Sequence, residues 1–308
     1  MPDISSVFDV SVAHQRERHD DPDKYRGWSW CVADLNSILG RIQSGWDVRF
    51  AGPAKIGKTS FMISQAVVSM GEGANIFYLG NEETEDQIMI RMITNVSGVE
   101  RNKFRDLAMV DSDWELVEGS REKFYAFKGK VEYGILRLSD IRKEIIGVKD
   151  LDMLFIDGQG QLEADTRYDS MAQSQGEISR GIKLLTLPPR LAGKSSIVST
   201  KKPLVVFTAV HLNEDGKSLW TRGVSRDADV YLKLMSVVDP VGNPVPNKLL
   251  VEVELSRHGG AGNKVKVYLN GARSLLGALH EETRDINEYA KALLEKPKAV
   301  PPKEHSLI

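Results

Sequence analysis

Apolar residues along this chain recur with two periods, and the periods alternate. Asp47 to Ala51 (DVRFA) reads as a short strand, Ser60 to Met70 carries apolar side chains at helical spacing, and NIFYL at 75–79 reads as a buried strand. Glu85 to Val96 places Ile88, Met92 and Val96 along one helical face. Ser139 stands where its hydroxyl could take an unpaired backbone N–H, so it is expected to cap a helix over DIRKEIIGV. LDMLFID at 151–157 and PLVVFTAV at 203–210 are the most strand-like runs, and they bracket a helix predicted from Ser170 to Leu187. Strands alternating with helices predict an α/β fold with a mostly parallel sheet flanked by helices.

After Val230 the helical period disappears. YLKLMSVV, KLLVEVELS and KVKVYLN alternate apolar and polar side chains between turn residues, which predicts an antiparallel C-terminal extension of the same sheet. The polar start, with Pro22 ending any helix begun near Ser5, reads as an arm over residues 1–26. Residues 27–285 then form one domain, and 286–308 a helix end and a flexible Pro/Lys-rich tail. No internal repeat is visible.

Composition narrows the function classes. With 41% hydrophobic and 27% charged residues, the 308-residue chain is ordinary globular material. Its one cysteine, Cys31, can supply neither an internal disulfide nor a zinc cluster. No apolar run approaches the roughly 18 residues of a membrane span, and the N-terminus has no signal pattern, so a cytoplasmic protein is expected. A net charge of −2 excludes a uniformly basic nucleic-acid-coating protein. The charge is unevenly spread, however: residues 190–235 hold eight Lys/Arg against four Asp/Glu, while 80–120 hold four against ten.

The strongest chemical signal is GPAKIGKTS, residues 52–60. Gly52, Gly57, Lys58 and Thr59 fit the phosphate-binding pattern GxxxxGK[ST], within the run Gly52, Pro53, Ala54, Lys55, Ile56, Gly57, Lys58, Thr59 and Ser60. Glycines let backbone N–H groups turn toward phosphates, Lys58 reaches the terminal phosphates, and the Thr59 hydroxyl suits a magnesium ion. A chance match in such a chain is on the order of one in a hundred, and a strand before and a helix after the motif strengthen it. ATP and Mg2+ are the expected ligands. Asp157 ends a buried strand where a magnesium-holding carboxylate belongs. Hydrolysis also needs a carboxylate to orient or deprotonate water; Glu82 and Glu83 in GNEETED both fit that position, and acidic residues at a helix start are the competing reading.

This order of elements resembles the RecA-like P-loop ATPase core, and more narrowly the helicase domain of the DnaB-like replicative helicases and phage primase-helicases. The resemblance runs from about Gly27 to Asn270. It rests on RGWSWCVADLNSILGRIQSGWDVRFAGPAKIGKTSF, NEETEDQIMIRM, FIDGQGQL, EISRGIKLL at 177–185 and RDADV at 226–230. The last two matter most, because phosphate loops are shared by unrelated enzymes. The resemblance implies Glu82 rather than Glu83 as the water-activating residue. It places His211, at the end of VVFTAVH, where the family senses the γ-phosphate; histidine there is the phage form. It implies Arg257 in ELSRHGG as an arginine finger acting on a neighbouring subunit. Many bacterial members have lysine two positions before that arginine, where this chain has Leu255.

The family's DNA loops correspond to about 158–172, with Arg167 and Tyr168, and 212–226, with Lys217, Arg222 and Arg226. Basic side chains there would give sequence-independent, salt-sensitive binding. The segment GKSSIVSTKK at 193–202 is longer than the family's link at this place. The resemblance thus implies an ATP-dependent DNA helicase motor working as a homo-hexamer on single-stranded DNA, with a primase or helicase loader as a further partner and no membrane. At this length no primase, zinc-binding module or separate N-terminal helical domain is expected. A RecA/RadA-like recombinase or strand-annealing ATPase is the first alternative; a nucleotide-switched clamp without unwinding is the second.

Overall fold

The computed structural model describes residues 3–22, 25–187, 203–212 and 223–278. In chain order the elements are α1 (Ile4–Asp20), α2 (Ala33–Leu39), β1 (Asp47–Gly52), α3 (Lys58–Gly71), β2 (Asn75–Gly80), α4 (Glu85–Ser97), α5 (Arg101–Arg105), α6 (Asp111–Gly119) and α7 (Arg121–Ala126). There follow β3 (Lys128–Tyr133), α8 (Leu138–Gly147), β4 (Met153–Asp157), a 3-10 turn (Gln159–Gln161), α9 (Met171–Thr186), β5 (Val205–His211), α10 (Gly223–Asp227), β6 (Val230–Val238), β7 (Pro244–Ser256), β8 (Lys264–Asn270) and β9 (Leu275–Ala278).

The strands form one sheet in the order β3-β2-β4-β5-β1-β6-β7-β8-β9. Period-two alternation gives the central strands β1, β2, β4 and β5 two buried faces. Ile76, Tyr78, Phe155, Phe207, Val48 and Phe50 join Phe61, Ile63 and Met92 of α3 and α4 in one core. Phe77, Leu79, Leu154, Ile156 and Val206 point the other way, against Ile141 and Ile145 of α8 and Ile178, Ile182 and Leu185 of α9. Helices cover both faces, as a parallel sheet requires.

Three details differ from the sequence reading. β6 runs parallel to β1, with Val48 opposite Val230, and the antiparallel part begins at β7. Alternation marks a strand without giving its direction. β3 (KGKVEY) is a further strand, parallel to β2 at the sheet's edge; its charges suit an edge and hide it from an apolar pattern. Ser139 does not cap α8. The helix starts two residues earlier than expected, at Leu138, and the Ser139 backbone N–H instead donates to Asp165 at 3.1 Å.

At the N-terminus, α1 ends before Pro22 and buries none of its residues. Its start is capped by Asp3, which accepts from the Ser6 N–H at 2.7 Å. The stretch 193–202 and the tail 286–308 lie outside the described residues. Among the described residues no helix is long and apolar enough to cross a membrane.

Candidate functional site

The parallel strands bring their C-terminal ends to one edge of the sheet, and the loops there carry most of the predicted residues. β1 ends at Gly52. A Cβ on Gly52 would meet Ile56 at 2.8 Å and the Leu234 carbonyl at 3.0 Å, so the loop closes tightly over the strand. Lys55 and Gly57 both have positive φ, +62° and +109°, turning successive N–H groups inward as an anion cradle does. α3 starts at Lys58, and its first helical hydrogen bond runs from Phe61 N–H to the Gly57 carbonyl at 3.0 Å. The N–H groups of Lys58, Thr59 and Ser60 therefore stand outside the helix ladder, at the positive end of its dipole. The Ser60 side chain is buried, so its backbone is what this residue offers.

Within the cradle, Lys58 Nζ donates to the carbonyls of Gly52 (3.0 Å) and Pro53 (2.8 Å). It also lies 3.3 Å from His211 Nδ1. An ammonium only donates, so Nδ1 accepts and the imidazole proton sits on Nε2. That nitrogen is 2.8 Å from Glu82 Oε1. Lys58, His211 and Glu82 thus form one hydrogen-bonded chain across the ends of α3, β5 and β2. The bond from His211 holds the Glu82 carboxyl below the ordinary carboxylate range against the opposing effect of burial, with the Lys58 charge adding to it. Burial lowers the pKa of Lys58, opposed by the charges of Glu82 and Asp157.

Glu83 takes a different path from its neighbour. Both its oxygens are gripped by the fork of Arg91, one α4 turn-pair along the chain. A carboxylate held bidentately by a mostly buried guanidinium is a structural anchor, and the structure so separates the two glutamates that position alone left equal.

Asp157 ends β4 and is 7% exposed. The Tyr78 hydroxyl donates to its Oδ2 at 2.9 Å, and the Thr59 hydroxyl also bonds to it. Burial pushes its carboxyl up to about 6, against those two hydrogen bonds. A buried carboxylate that is costly to ionise alone, beside a threonine hydroxyl at a phosphate cradle, fits a divalent cation. Nearby, both side-chain amide atoms of Asn81 are buried without a hydrogen-bond partner among the described residues. Asn81, Tyr78 and Arg91 were missed by the sequence reading; only the adjacency of Asn81 to Glu82 could have singled it out.

Arg257 lies elsewhere. It follows β7, its N–H bonds to the Asp229 carbonyl (2.9 Å), and the Asp229 N–H bonds to the Asp47 carbonyl (2.9 Å). It therefore stands level with the start of β1, five residues and roughly 17 Å from Gly52, at the opposite edge of the sheet from the phosphate cradle. The side chain is 59% exposed beside Gly259 and Gly260, both of positive φ. It cannot reach its own chain's cradle.

Of the DNA-loop residues, Arg167 is exposed between β4 and α9, and Tyr168 bonds to Glu177. Arg226 is exposed on α10. Lys217 and Arg222 lie outside the described residues.

Residues 27–188 match the family model of the DnaB-like helicase C-terminal domain. The chain belongs to that family. It is a DnaB-type, ATP-driven DNA helicase motor domain and binds nucleotide. The ATPase domain of G40P superposes with a TM-score of 0.71 at 16% identity, covering 88% of this chain and 98% of that one. A DnaB-like replicative helicase, described together with its interactions with primase, gives 0.66 at 15% identity over 88% of this chain and 66% of that chain. At such identities the two neighbours establish the RecA-like fold.

Within the DnaB-like frame, the two blocks EISRGIKLL and RDADV meet. Arg49, fully buried on β1, pairs with Asp47 at 2.6 Å and donates to Ser179 Oγ at 2.7 Å. Ser179 Oγ donates to Asp227 at 2.5 Å, and Lys183 donates to Asp229. Asp47 and Arg49 thus form a polar network beneath that part of α9 where apolar packing would otherwise stand.

Proposed function

We propose that this chain hydrolyses MgATP at subunit interfaces of a homo-hexameric ring and translocates on single-stranded DNA. The observation that carries the reading is the hydrogen-bonded chain Lys58–His211–Glu82 beside buried Asp157. The backbone of 52–60 cradles the phosphates, and Lys58 binds them. Thr59 and Asp157 hold magnesium, which when bound neutralises charge developing on the phosphoryl oxygens. Glu82 orients and deprotonates the attacking water. The 2.8 Å bond from His211 to its carboxylate joins that base to the end of β5, where His211 would meet the γ-phosphate. Arg257, too far from its own cradle, completes a neighbour's site.

Arg167, Lys217, Arg222 and Arg226 pair with DNA phosphates. The domain reading above, an arm over 1–26 and a tail over 286–308, goes with this assembly, as does a primase or loader partner. The test is strand displacement on a forked duplex with wild type and Glu82→Gln in parallel, together with ATPase. Wild-type unwinding lost in Glu82→Gln is expected; unwinding by neither overturns the helicase assignment.

A further inference from the structure

Arg257 is a long, mostly exposed side chain that is nevertheless tied at two points. Its Nη2 donates to the Arg226 carbonyl at 3.2 Å, and its Nε lies 3.7 Å from Asp229 Oδ1. Fixing such a side chain costs rotamer entropy, so an arginine that must meet a neighbour's transition state gains from being set in advance. Its backbone is anchored as well. His258 stacks on Trp46 with ring centroids 4.0 Å apart and 9° between planes, and a Cβ on Gly260 would strike the Ile38 carbonyl at 2.7 Å.

Asp229 is the centre of this arrangement. Its side chain is 9% exposed and is approached from three elements. The Asp47 N–H of β1 donates to Oδ2 at 2.8 Å, Lys183 of α9 donates to the same oxygen, and Arg257 approaches the other. The carboxylate is therefore fixed by β1 and α9 on one side and presents its remaining oxygen to the guanidinium. Asp229 lies two residues beyond α10, whose Arg226 carbonyl makes the second tether, so one short segment supplies both contacts.

We propose that Asp229 is a positioning residue for Arg257, holding it in register for the adjoining subunit through the brace to Lys183 and β1. The inference rests on Arg257 acting in trans, as proposed above. It makes a distinctive prediction: a subunit altered at Asp229 retains a sound nucleotide site of its own and supplies a poor arginine to its neighbour.

The experiment is ATPase complementation of the full chain. Asp229→Asn keeps an acceptor for the Asp47 N–H and removes the charge facing Arg257. Alone, it should lower kcat roughly 10- to 100-fold with KM for ATP within about twofold. Mixed with Glu82→Gln subunits, whose own sites are impaired but which carry a correctly held Arg257, hydrolysis should rise well above that of either variant alone. Wild-type kcat in Asp229→Asn overturns the proposal, as does a loss that mixing fails to restore while an Arg257→Ala plus Glu82→Gln mixture is restored. No restoration in that control mixture overturns the trans reading itself. Asp229→Glu keeps the charge and displaces the carboxylate by one methylene; if Asp229→Asn does not fold, its loss and rescue decide by the same criteria.

Discussion

His211 donates to Glu82 at 2.8 Å through one imidazole nitrogen while the other accepts from Lys58. Lys58, the proposed phosphate-binding lysine, and Glu82, the proposed catalytic base, are thus joined by a single ring at the end of β5. Replacing His211 by Gln should leave nucleotide affinity within a few-fold and lower hydrolysis. It should also abolish most of the stimulation by single-stranded DNA, because β5 precedes the segment 212–226 proposed as a DNA loop. Equal stimulation in the variant, measured by ATPase with and without oligonucleotide, would remove His211 from the coupling path.

The two adjacent glutamates should separate cleanly. Glu82→Gln is expected to cut hydrolysis by about 100-fold or more while nucleotide still binds. Glu83→Gln should retain the chemistry and lose the Arg91 pair, destabilising the protein by roughly 1–3 kcal/mol. ATPase and urea unfolding on both variants make the comparison.

Asp157 offers a trade between stability and activity. Burial pushes its carboxyl up to about 6, above the ordinary aspartate value of 3.8. Without metal, its contribution is most favourable below the lower value, declines as pH rises to about 6, and is flat above. Asp157→Asn should therefore raise the unfolding midpoint of the nucleotide-free protein at pH 7.5 by the equivalent of about 1–3 kcal/mol, while magnesium-dependent hydrolysis is lost. In the wild type the magnesium requirement should climb as pH falls below about 6, since protons and metal compete for one carboxylate.

The buried pair of Arg49 and Asp47 should be costly to break from one side. Asp47→Asn removes the carboxylate charge 2.6 Å from the buried guanidinium and is expected to cost about 3–5 kcal/mol. The double change Asp47→Leu with Arg49→Met should recover much of that, because the charge and its desolvation leave together. Chemical denaturation of the three proteins reads this directly.

What could be read from the chain and what could not divide along local and distant contacts. Gly57, Lys58 and Thr59 were legible because a phosphate cradle is built from consecutive backbone, and β2, β4 and β5 because buried strands are unbroken apolar runs. Glu82 and Glu83 were indistinguishable by position, since what separates them is the partner each finds: His211 far along the chain, or Arg91 on α4. Ser139 was misjudged for the same reason; Asp165, brought in by the loop after β4, takes the N–H near the start of α8. Arg49, Ser179 and Asp227 come from three distant segments, and no single segment announces that they meet. Even the direction of β6 depends on which strand it lies beside.

The placement of Arg257 has an arithmetical consequence. If the phosphate cradle and the arginine that serves it lie on opposite edges of the sheet, each copy carries two unlike halves of a site, and copies can join only head to tail. A closed array of such copies has as many complete sites as members, whereas an open one always has one fewer, with an idle cradle at one end and an idle arginine at the other. Closure then adds a working site without adding a residue, and the gain is proportionally largest for the smallest assemblies.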